Sequence, residues 1–196
     1  MEKIDKGKGK EHRHRGKFTE GLLDVERILG GLALRPGQTV VDAGCGNGYM
    51  SKIFSRQVTP SGKVYALDPD RHFIGVLEAE TRGTNIVTIV GDITRPTPIE
   101  PSSVDLIYIS TVIHCFSKLQ MQGFIQEVRR LIKPDGLLAI VEIEKTETPF
   151  GPPLNRRFSS EELRTIVPMT PVETIPVAEY FFMHTFAHAT PPKVAP

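Results

Sequence analysis

The sequence predicts an α/β domain in which helices cover both faces of a mostly parallel sheet. Short apolar runs alternate five times with segments of helical periodicity, as expected for strands joined by crossover helices. The runs are almost continuously apolar, which is typical of strands buried on both faces. A length of 196 residues, with 39% hydrophobic and 24% charged residues, suits one globular domain. The five predicted strands span residues 39–41, 64–67, 86–90, 105–110 and 137–143.

Helical periodicity and end signals place the first four predicted helices around these strands. The first helix has Thr19 as its expected N-cap and the pair Gly30 and Gly31 as its expected end. In the first and fourth predicted helices the apolar residues recur on one face, which would pack against the sheet. The four helices are predicted over residues 18–29, 49–58, 70–82 and 119–132.

The alternation stops after the fifth strand. A short helix is predicted over residues 159–167, where Ser159 and Glu162 have the spacing of a capping box. Two further apolar runs, 172–177 and 181–188, lie too close together for a crossover helix. Since a parallel connection needs a dozen or more residues, we expect these two runs to form an antiparallel hairpin.

The start of the chain differs in charge from the rest. Residues 1–17 contain seven Lys or Arg against three Asp or Glu, whereas the whole chain has a net charge of +1. Such an arm can bind nucleic acid or a phosphate, or it can be a solvated, frayed terminus. We expect a flexible basic arm over residues 1–17 and a single domain over residues 18–190.

Composition also bears on the compartment. No apolar stretch follows the Lys-rich start, and the longest aliphatic run, residues 137–141, is far shorter than the roughly 20 residues of a membrane span. The two cysteines, Cys45 and Cys115, suffice neither for a disulfide framework nor for a four-ligand zinc site without histidines. These features predict a cytoplasmic protein with no signal peptide, no membrane span and no metal.

A glycine-rich turn follows the first predicted strand. Gly44, Gly46 and Gly48 alternate there, Asp42 precedes them, and no Lys or Arg occurs between residues 36 and 51. The turn lacks the third glycine of the dinucleotide fingerprint and the Gly-Lys-Ser/Thr of a P-loop. Because a diphosphate is an anion, this acidic turn favours a ligand with an ammonium or sulfonium group over a nucleotide phosphate.

Two more acidic residues follow the second and third predicted strands. Asp68 can accept hydrogen bonds from both hydroxyls of a ribose, and Asp92 from the exocyclic amine of adenine. Because parallel strands end at one edge of the sheet, we expect these carboxylates to lie near Asp42 and the glycine turn. Together they indicate an adenosine with a cationic tail.

These motifs resemble those of the class I S-adenosylmethionine-dependent methyltransferases. Residues 41–48, Val-Asp-Ala-Gly-Cys-Gly-Asn-Gly, match the D/E-x-G-x-G-x-G motif of that family, and residues 64–68 match its ribose-binding strand end. Residues 91–93 are similar to its adenine contact, and residues 104–110 and 131–138 to its fourth strand and the turn into its fifth. The resemblance is closest to ubiquinone/menaquinone-biosynthesis and arsenite methyltransferases. It implies a Rossmann-like, doubly wound sheet of seven strands, the last one antiparallel.

The resemblance also implies an enzyme with S-adenosylmethionine as its cofactor. The glycine turn and Asp42 would lie near the methionine end of the cofactor and Asp68 near its ribose, with Ser110 on the sulfonium side. The predicted cofactor-binding residues are Asp42, Gly44, Gly46, Asn47, Gly48, Asp68, Pro69, Asp92, Ile93 and Ser110.

His114 follows the fourth strand, where the methyl acceptor should lie. The unperturbed pKa of histidine suits a base near neutral pH, although a packing histidine would occupy the same position. Farther along, Arg156 and Arg157 could grip a carboxylate or phosphate of the acceptor, or form a solvated loop face. His114 is the predicted catalytic residue.

The class of acceptor is predicted from departures from related families. Two cysteines do not provide the several thiolates of an arsenite site. Residues 110–113, Ser-Thr-Val-Ile, replace the Asp/Asn/Ser-Pro-Pro-Tyr/Phe/Trp motif of enzymes that methylate amino groups of nucleic acids and glutamine. We therefore expect methyl transfer to a small molecule by in-line displacement. The alternatives are an RNA- or protein-modifying methyltransferase and a non-catalytic module that binds S-adenosylmethionine.

Overall fold

The computed structural model describes residues 20–188, which form one seven-stranded sheet with helices on both faces. The predicted basic arm, residues 1–17, lies outside the described residues. The helices are α1 Val25–Leu32, α2 Tyr49–Val58, α3 Arg71–Glu80, α4 Lys118–Leu131 and α5 Ser160–Ile166. The strands are β1 Thr39–Ala43, β2 Lys63–Asp68, β3 Ile86–Val90, β4 Val104–Ser110, β5 Ile132–Ile143, β6 Thr170–Ala178 and β7 Phe181–Ala187.

The order of strands across the sheet is β3-β2-β1-β4-β5-β7-β6. The first five pair in parallel, whereas β7 runs antiparallel to both β5 and β6. The direction in which strands are added to the sheet reverses between β1 and β4. The segments that follow β1 and β4 therefore leave the carboxyl edge of the sheet toward opposite sides, with a crevice between them. In open α/β sheets this crevice is where ligands bind. The prediction of a mostly parallel, seven-stranded sheet with an antiparallel C-terminal hairpin is confirmed.

Each face of the sheet carries its own core. Apolar residues of α1, α2 and α3 pack on one face, where Phe54 and Tyr108 meet edge to face with ring centroids 5.0 Å apart. Residues of α4 and α5, including Phe124 and Leu163, pack on the other face. The alternation of β4, with Leu106 on the first face and Ile107 on the second, explains its continuous apolar run.

The first helix differs from its prediction. It begins at Val25 rather than residue 18, because Asp24 supplies the N-cap and accepts a hydrogen bond from the backbone N–H of Arg27 at 3.0 Å. The helix also continues through the glycine pair to Leu32. A Cβ on Gly31 would lie 2.6 Å from Ile175 Cδ1, so this glycine allows α1 to pack closely on β6.

The capping box of α5 and the hairpin of β6 and β7 agree with their predictions. The fifth strand begins earlier than predicted, at Ile132. Its pairing with β4 shifts register between the pairs Val104–Ile132 and Leu106–Leu137, so the expected turn into the fifth strand is an irregularity inside the strand. Within residues 20–188, no helix is both long and apolar enough to cross a membrane.

Candidate active site

The glycine turn packs directly against its neighbours. Gly44 and Gly48 have φ angles of 73° and 74°, a region that glycine adopts without strain. A Cβ on Gly44 would lie 2.6 Å from Cγ2 of Val112, and one on Gly48 would lie 2.4 Å from Cδ1 of Leu77. A side chain at either position would therefore collide with the side chain of Val112 or of Leu77.

Asp68 holds the turn to the end of β2. Its Oδ2 accepts a hydrogen bond from the N–H of Gly46 at 2.9 Å, and its Oδ1 accepts one from the N–H of Asp70 at 2.8 Å. Burial raises the pKa of Asp68, and these two hydrogen bonds oppose that rise. Each oxygen of a carboxylate can accept a second hydrogen bond, so Oδ1 and Oδ2 of Asp68 can still accept hydrogen bonds from two ribose hydroxyls.

The predicted adenine contacts lie at the ends of β2 and β3. Pro69, Gly91 and Asp92 line a cavity of about 440 Å³ there. Asp92 already accepts a hydrogen bond through Oδ1 from the N–H of Thr94 at 2.9 Å, which leaves Oδ2 for a ligand. The side chain of Ile93 is 4% exposed and belongs to the core, so only its backbone remains for a base contact.

Asp42 lies beneath the turn rather than at the open edge. Its side chain is buried, and Oδ2 accepts a hydrogen bond from Ser51 Oγ of α2 at 2.5 Å. Burial, with a smaller contribution from the charge of Asp68, raises the pKa of Asp42 to about 7 despite the hydrogen bond to Ser51. A contact of Asp42 with the methionine end of the cofactor stays a prediction.

Asn47 connects the turn to the first described residue of the chain. Its Oδ1 accepts from the N–H of Tyr49 at 3.1 Å, and its Nδ2 donates to Oε2 of Glu20 at 3.1 Å. The segment that precedes α1 therefore reaches the glycine turn. The side chain of Asn47 is used within the protein, which leaves its backbone for the predicted cofactor contact.

Ser110 ends β4 next to the turn. Its Oγ is buried near the hydroxyl of Tyr108, and neither oxygen makes a hydrogen bond of normal geometry within the described residues. A buried hydroxyl without a partner is costly, so a ligand atom at this position would satisfy it. The chain then passes Thr111, which has a φ of 55°, and Val112, which contacts Gly44, before it reaches His114.

His114 forms a hydrogen-bonded pair with a carboxylate that we did not predict. It lies in the 3₁₀ turn Ile113–Cys115, and its Nδ1 is 2.9 Å from Oε2 of Glu142 in β5. Glu142 is fully buried, and its Oε1 meets no partner among the described residues. A signal for Glu142 did exist, because it is the one acidic residue inside the apolar run of the fifth strand.

Two neighbours, Cys115 and Glu142, raise the pKa of His114. Burial alone would lower it, but hydrogen bonds to Cys115 and Glu142 and the charge of Glu142 outweigh burial and raise it to about 10. A fully buried carboxylate needs a positive partner, and the imidazolium of His114 is the one that this structure provides. His114 is therefore protonated at neutral pH, with Nε2 as the ring nitrogen left for a ligand.

A second cavity of about 490 Å³ opens beside His114. The 3₁₀ turn of His114 and the start of α4 form one wall, and the segment after β5 together with α5 forms the other. Phe116, Phe158 and Ile166 give it apolar surface. Among its polar lining residues are Cys115, Ser117, Gln120, Lys145, Asn155, Arg156, Arg157 and Glu162.

Arg156 and Arg157, for which the sequence allows either acceptor binding or a solvated loop face, have different surroundings. Arg157 is 6% exposed and donates to the carbonyl oxygens of Glu144, Thr146, Phe150 and Pro152. It therefore anchors the loop after β5. Arg156, the preceding residue, is exposed.

The histidine of β7 is structural. His184 is buried, its Nδ1 lies 2.6 Å from Thr174 Oγ1, and its ring lies 4.3 Å from that of Phe186. Burial, with the charge of Arg164, lowers the pKa of His184 to about 4, so the ring is neutral. No group of three or more metal-ligating side chains occurs within the described range 20–188.

Comparison with known proteins identifies the class to which this fold and site belong. Residues 40–136 match the family model described as a methyltransferase domain. A S-adenosylmethionine-dependent methyltransferase from Aquifex aeolicus superimposes with a TM-score of 0.76 at 26% identity, over 86% of this chain and 91% of that one. An N-methyltransferase from Burkholderia thailandensis, solved with 1,6-didemethyltoxoflavin and S-adenosylhomocysteine, has the same fold, with a TM-score of 0.66 at 19% identity over 84% of this chain and 76% of that one.

The chain belongs to the class I S-adenosylmethionine-dependent methyltransferases. The predicted family, the enzyme class of its domain and the cofactor of that family are thus confirmed. Among curated relatives, the ubiquinone/menaquinone biosynthesis C-methyltransferase UbiE of Cupriavidus metallidurans is 29% identical over 118 residues, 59% of this chain. The chain spans about half the length (47%) of that enzyme.

Proposed function

We propose that this chain transfers a methyl group from S-adenosylmethionine to a small-molecule acceptor bound in the cavity beside His114. The observation that carries the proposal is the position of that cavity, of about 490 Å³, next to the segment of Val112 that contacts Gly44 of the glycine turn. A volume of this size suits a small organic ligand. The small-molecule acceptors named for UbiE and for the Burkholderia enzyme support the same class.

The residues around the turn fit the cofactor. Asp68 keeps lone pairs for a ribose, and Ser110 has a buried hydroxyl that makes no hydrogen bond of normal geometry among the described residues. We propose that Pro69, with the free oxygen of Asp92, contacts the base. When bound, S-adenosylmethionine supplies a methyl group on a positively charged sulfur. In-line transfer of this methyl group to a nucleophile leaves the sulfur neutral.

The raised pKa of His114 favours a role as a hydrogen-bond donor to the methyl acceptor. An imidazolium does not accept a proton, but it donates a hydrogen bond through Nε2 and stabilises an acceptor atom that has lost its proton to solvent. We therefore propose that His114 donates a hydrogen bond to an acceptor oxygen or sulfur in its ionised form, in place of acting as the predicted base. Phe116 and Phe158 line the same cavity and give it apolar surface.

The test separates small from large acceptors. The full chain is incubated with methyl-labelled S-adenosylmethionine and a cell extract divided by filtration into small molecules and macromolecules. We expect label in the small-molecule fraction, its loss in Asp68→Ala, and its retention in Asp135→Ala, which alters an exposed carboxylate at the opposite end of β5.

The other outcomes identify the alternatives. Label in the macromolecular fraction, with nucleic-acid affinity that falls steeply with salt, indicates an RNA- or protein-modifying enzyme. Cofactor binding without any transfer indicates a non-catalytic module. Deletion of residues 1–15 should leave small-molecule transfer intact if the basic arm has no part in acceptor binding.

The free thiols of Cys45 and Cys115 support the predicted cytoplasmic location.

A further inference from the structure

The cavity beside His114 has unbalanced positive charge on its walls. Lys145 is paired with Glu162, and His114 is paired with the buried Glu142, so these four charges cancel in two pairs. Arg156 and Arg157 also line the cavity, and neither forms an ion pair with any carboxylate within residues 20–188. Two guanidinium charges are therefore left without an anionic partner.

The charge of Arg157 is fixed in place. The side chain is 6% exposed, and every acceptor of its hydrogen bonds is neutral: four backbone carbonyl oxygens and the hydroxyl of Thr148, which Nη1 contacts at 2.8 Å. Neutral oxygens satisfy the N–H groups but leave the positive charge in a region of low dielectric, where its field reaches farther than in water. This charge favours an anion in the adjoining cavity.

Arg156 provides the group that an anion can contact. It lies in the 3₁₀ turn Leu154–Arg156, is exposed, and has no side-chain hydrogen bond or ion pair to the rest of the described chain. A guanidinium matches a carboxylate or a phosphate with two parallel hydrogen bonds. The walls of the cavity also include the rings of Phe116 and Phe158, which suit a flat apolar body.

We propose that this cavity binds the methyl acceptor through an anionic group, a carboxylate or a phosphate, carried on a flat apolar body, with Arg156 selecting for the charge. The inference rests on the proposed function, since it assigns the chemical class of the acceptor. The anionic group lies toward Arg156, and the atom to be methylated lies toward His114, because the segment before His114 contacts the glycine turn through Val112 and Gly44.

The experiment measures binding, so that it does not depend on turnover. The full chain, saturated with S-adenosylhomocysteine, is titrated by ligand-observed NMR with benzoate, phenyl phosphate, neutral benzamide and cationic benzylamine. We expect one of the two anions to bind at least about tenfold more tightly than benzamide, the ratio that a charged hydrogen-bonded pair provides, and benzylamine to bind most weakly. The tighter anion identifies the head group.

Two arginine variants complete the test. Arg156→Ala should reduce the preference for the anion over benzamide by about tenfold, whereas Arg129→Ala, which removes an exposed arginine of α4 outside the cavity, should leave it unchanged. Equal affinity for anions and benzamide, no anion binding up to about 10 mM, or a preference that survives Arg156→Ala would each overturn the inference. Failure of methyl transfer with the Arg156-dependent preference intact would count against the proposed function alone.

Discussion

Nδ1 of His114 lies 2.9 Å from Oε2 of Glu142, although the two residues are 28 positions apart. They meet because β4 and β5 are parallel neighbours whose carboxyl ends reach the same edge of the sheet. The carboxylate is fully buried, whereas the imidazole lines the acceptor cavity. The pair therefore places a positive hydrogen-bond donor where the acceptor is proposed to react.

The first prediction concerns the protonation of His114. Cys115 and Glu142 together raise the pKa of His114 to about 10, and Glu142→Gln removes the charge of one of these two neighbours, so the pKa of His114 should fall below that of the unaltered chain. Because the folded-state pKa lies above the ordinary 6.5, the stabilisation by the pair is complete below about pH 6.5 and is lost as the pH rises through about 10. NMR titration of the Cε1 resonance measures the change.

His184 provides the control in the same spectra. It is buried near Thr174 in β6 and β7, away from Glu142, and should keep its lowered pKa of about 4 in the variant. A His114 resonance that already titrates near 6.5 in the unaltered chain would contradict the pairing. So would a Glu142→Gln variant with an unchanged titration.

The second prediction concerns Asp42 and stability. Its pKa rises from 3.8 to about 7 on folding, so folding binds a proton and stability decreases as the pH rises from about 4 to 7, by at most about 1.4 kcal/mol per pH unit. Asp42→Asn cannot ionise and keeps an acceptor for Ser51 Oγ. Its stability relative to the unaltered chain should therefore increase between pH 5 and pH 8 in urea unfolding.

The matched variant is Asp135→Asn, at an exposed position of β5. Its stability difference should not change over this pH range. If Asp42→Asn shows an equally constant difference, the carboxyl of Asp42 is already ionised in the folded protein at pH 5, and the effect assigned to burial is wrong.

The third prediction concerns cofactor affinity. Asp68→Ala removes the acceptor proposed for the ribose hydroxyls and also the anchor of the Gly46 N–H, so the affinity for S-adenosylhomocysteine should fall by about 2–4 kcal/mol. Isothermal titration calorimetry measures this loss, and Asp135→Ala should bind as the unaltered chain does. Unchanged affinity in a folded Asp68→Ala protein would rule out the placement of the ribose.

The fourth prediction compares two adjacent arginines. Arg157→Ala removes the donor from four carbonyl oxygens of the loop after β5 and should destabilise the chain by about 2–4 kcal/mol. Arg156→Ala touches no such contact and should remain within about 0.5 kcal/mol. Urea unfolding gives both values, and proteolysis of the loop at residues 144–153 should accelerate only in Arg157→Ala. Similar values for the two variants would show that the loop does not depend on Arg157.

Much of the fold could be predicted because its signals are local. Continuous apolar runs, the glycine turn and the Ser159–Glu162 capping box depend on residues close in sequence. The first helix was misplaced because residues 18–24 are compatible with helical periodicity, while Asp24 provides a stronger cap and its N–H bonds to Val177 in the distant β6. That contact is tertiary and has no trace in the local sequence.

The sequence by itself determined the family, the cofactor class and the edge of the sheet at which the glycine turn and the strand-end carboxylates lie. These features can be located from the order of residues along parallel strands alone. The tertiary structure alone decided which charges are paired. Asp42 and Ser51, His114 and Glu142, and the neutral surroundings of Arg157 follow from strand register and loop packing. Burial and charge pairing depend on neighbours in space, and these set the pKa of His114 and the charge of the acceptor cavity.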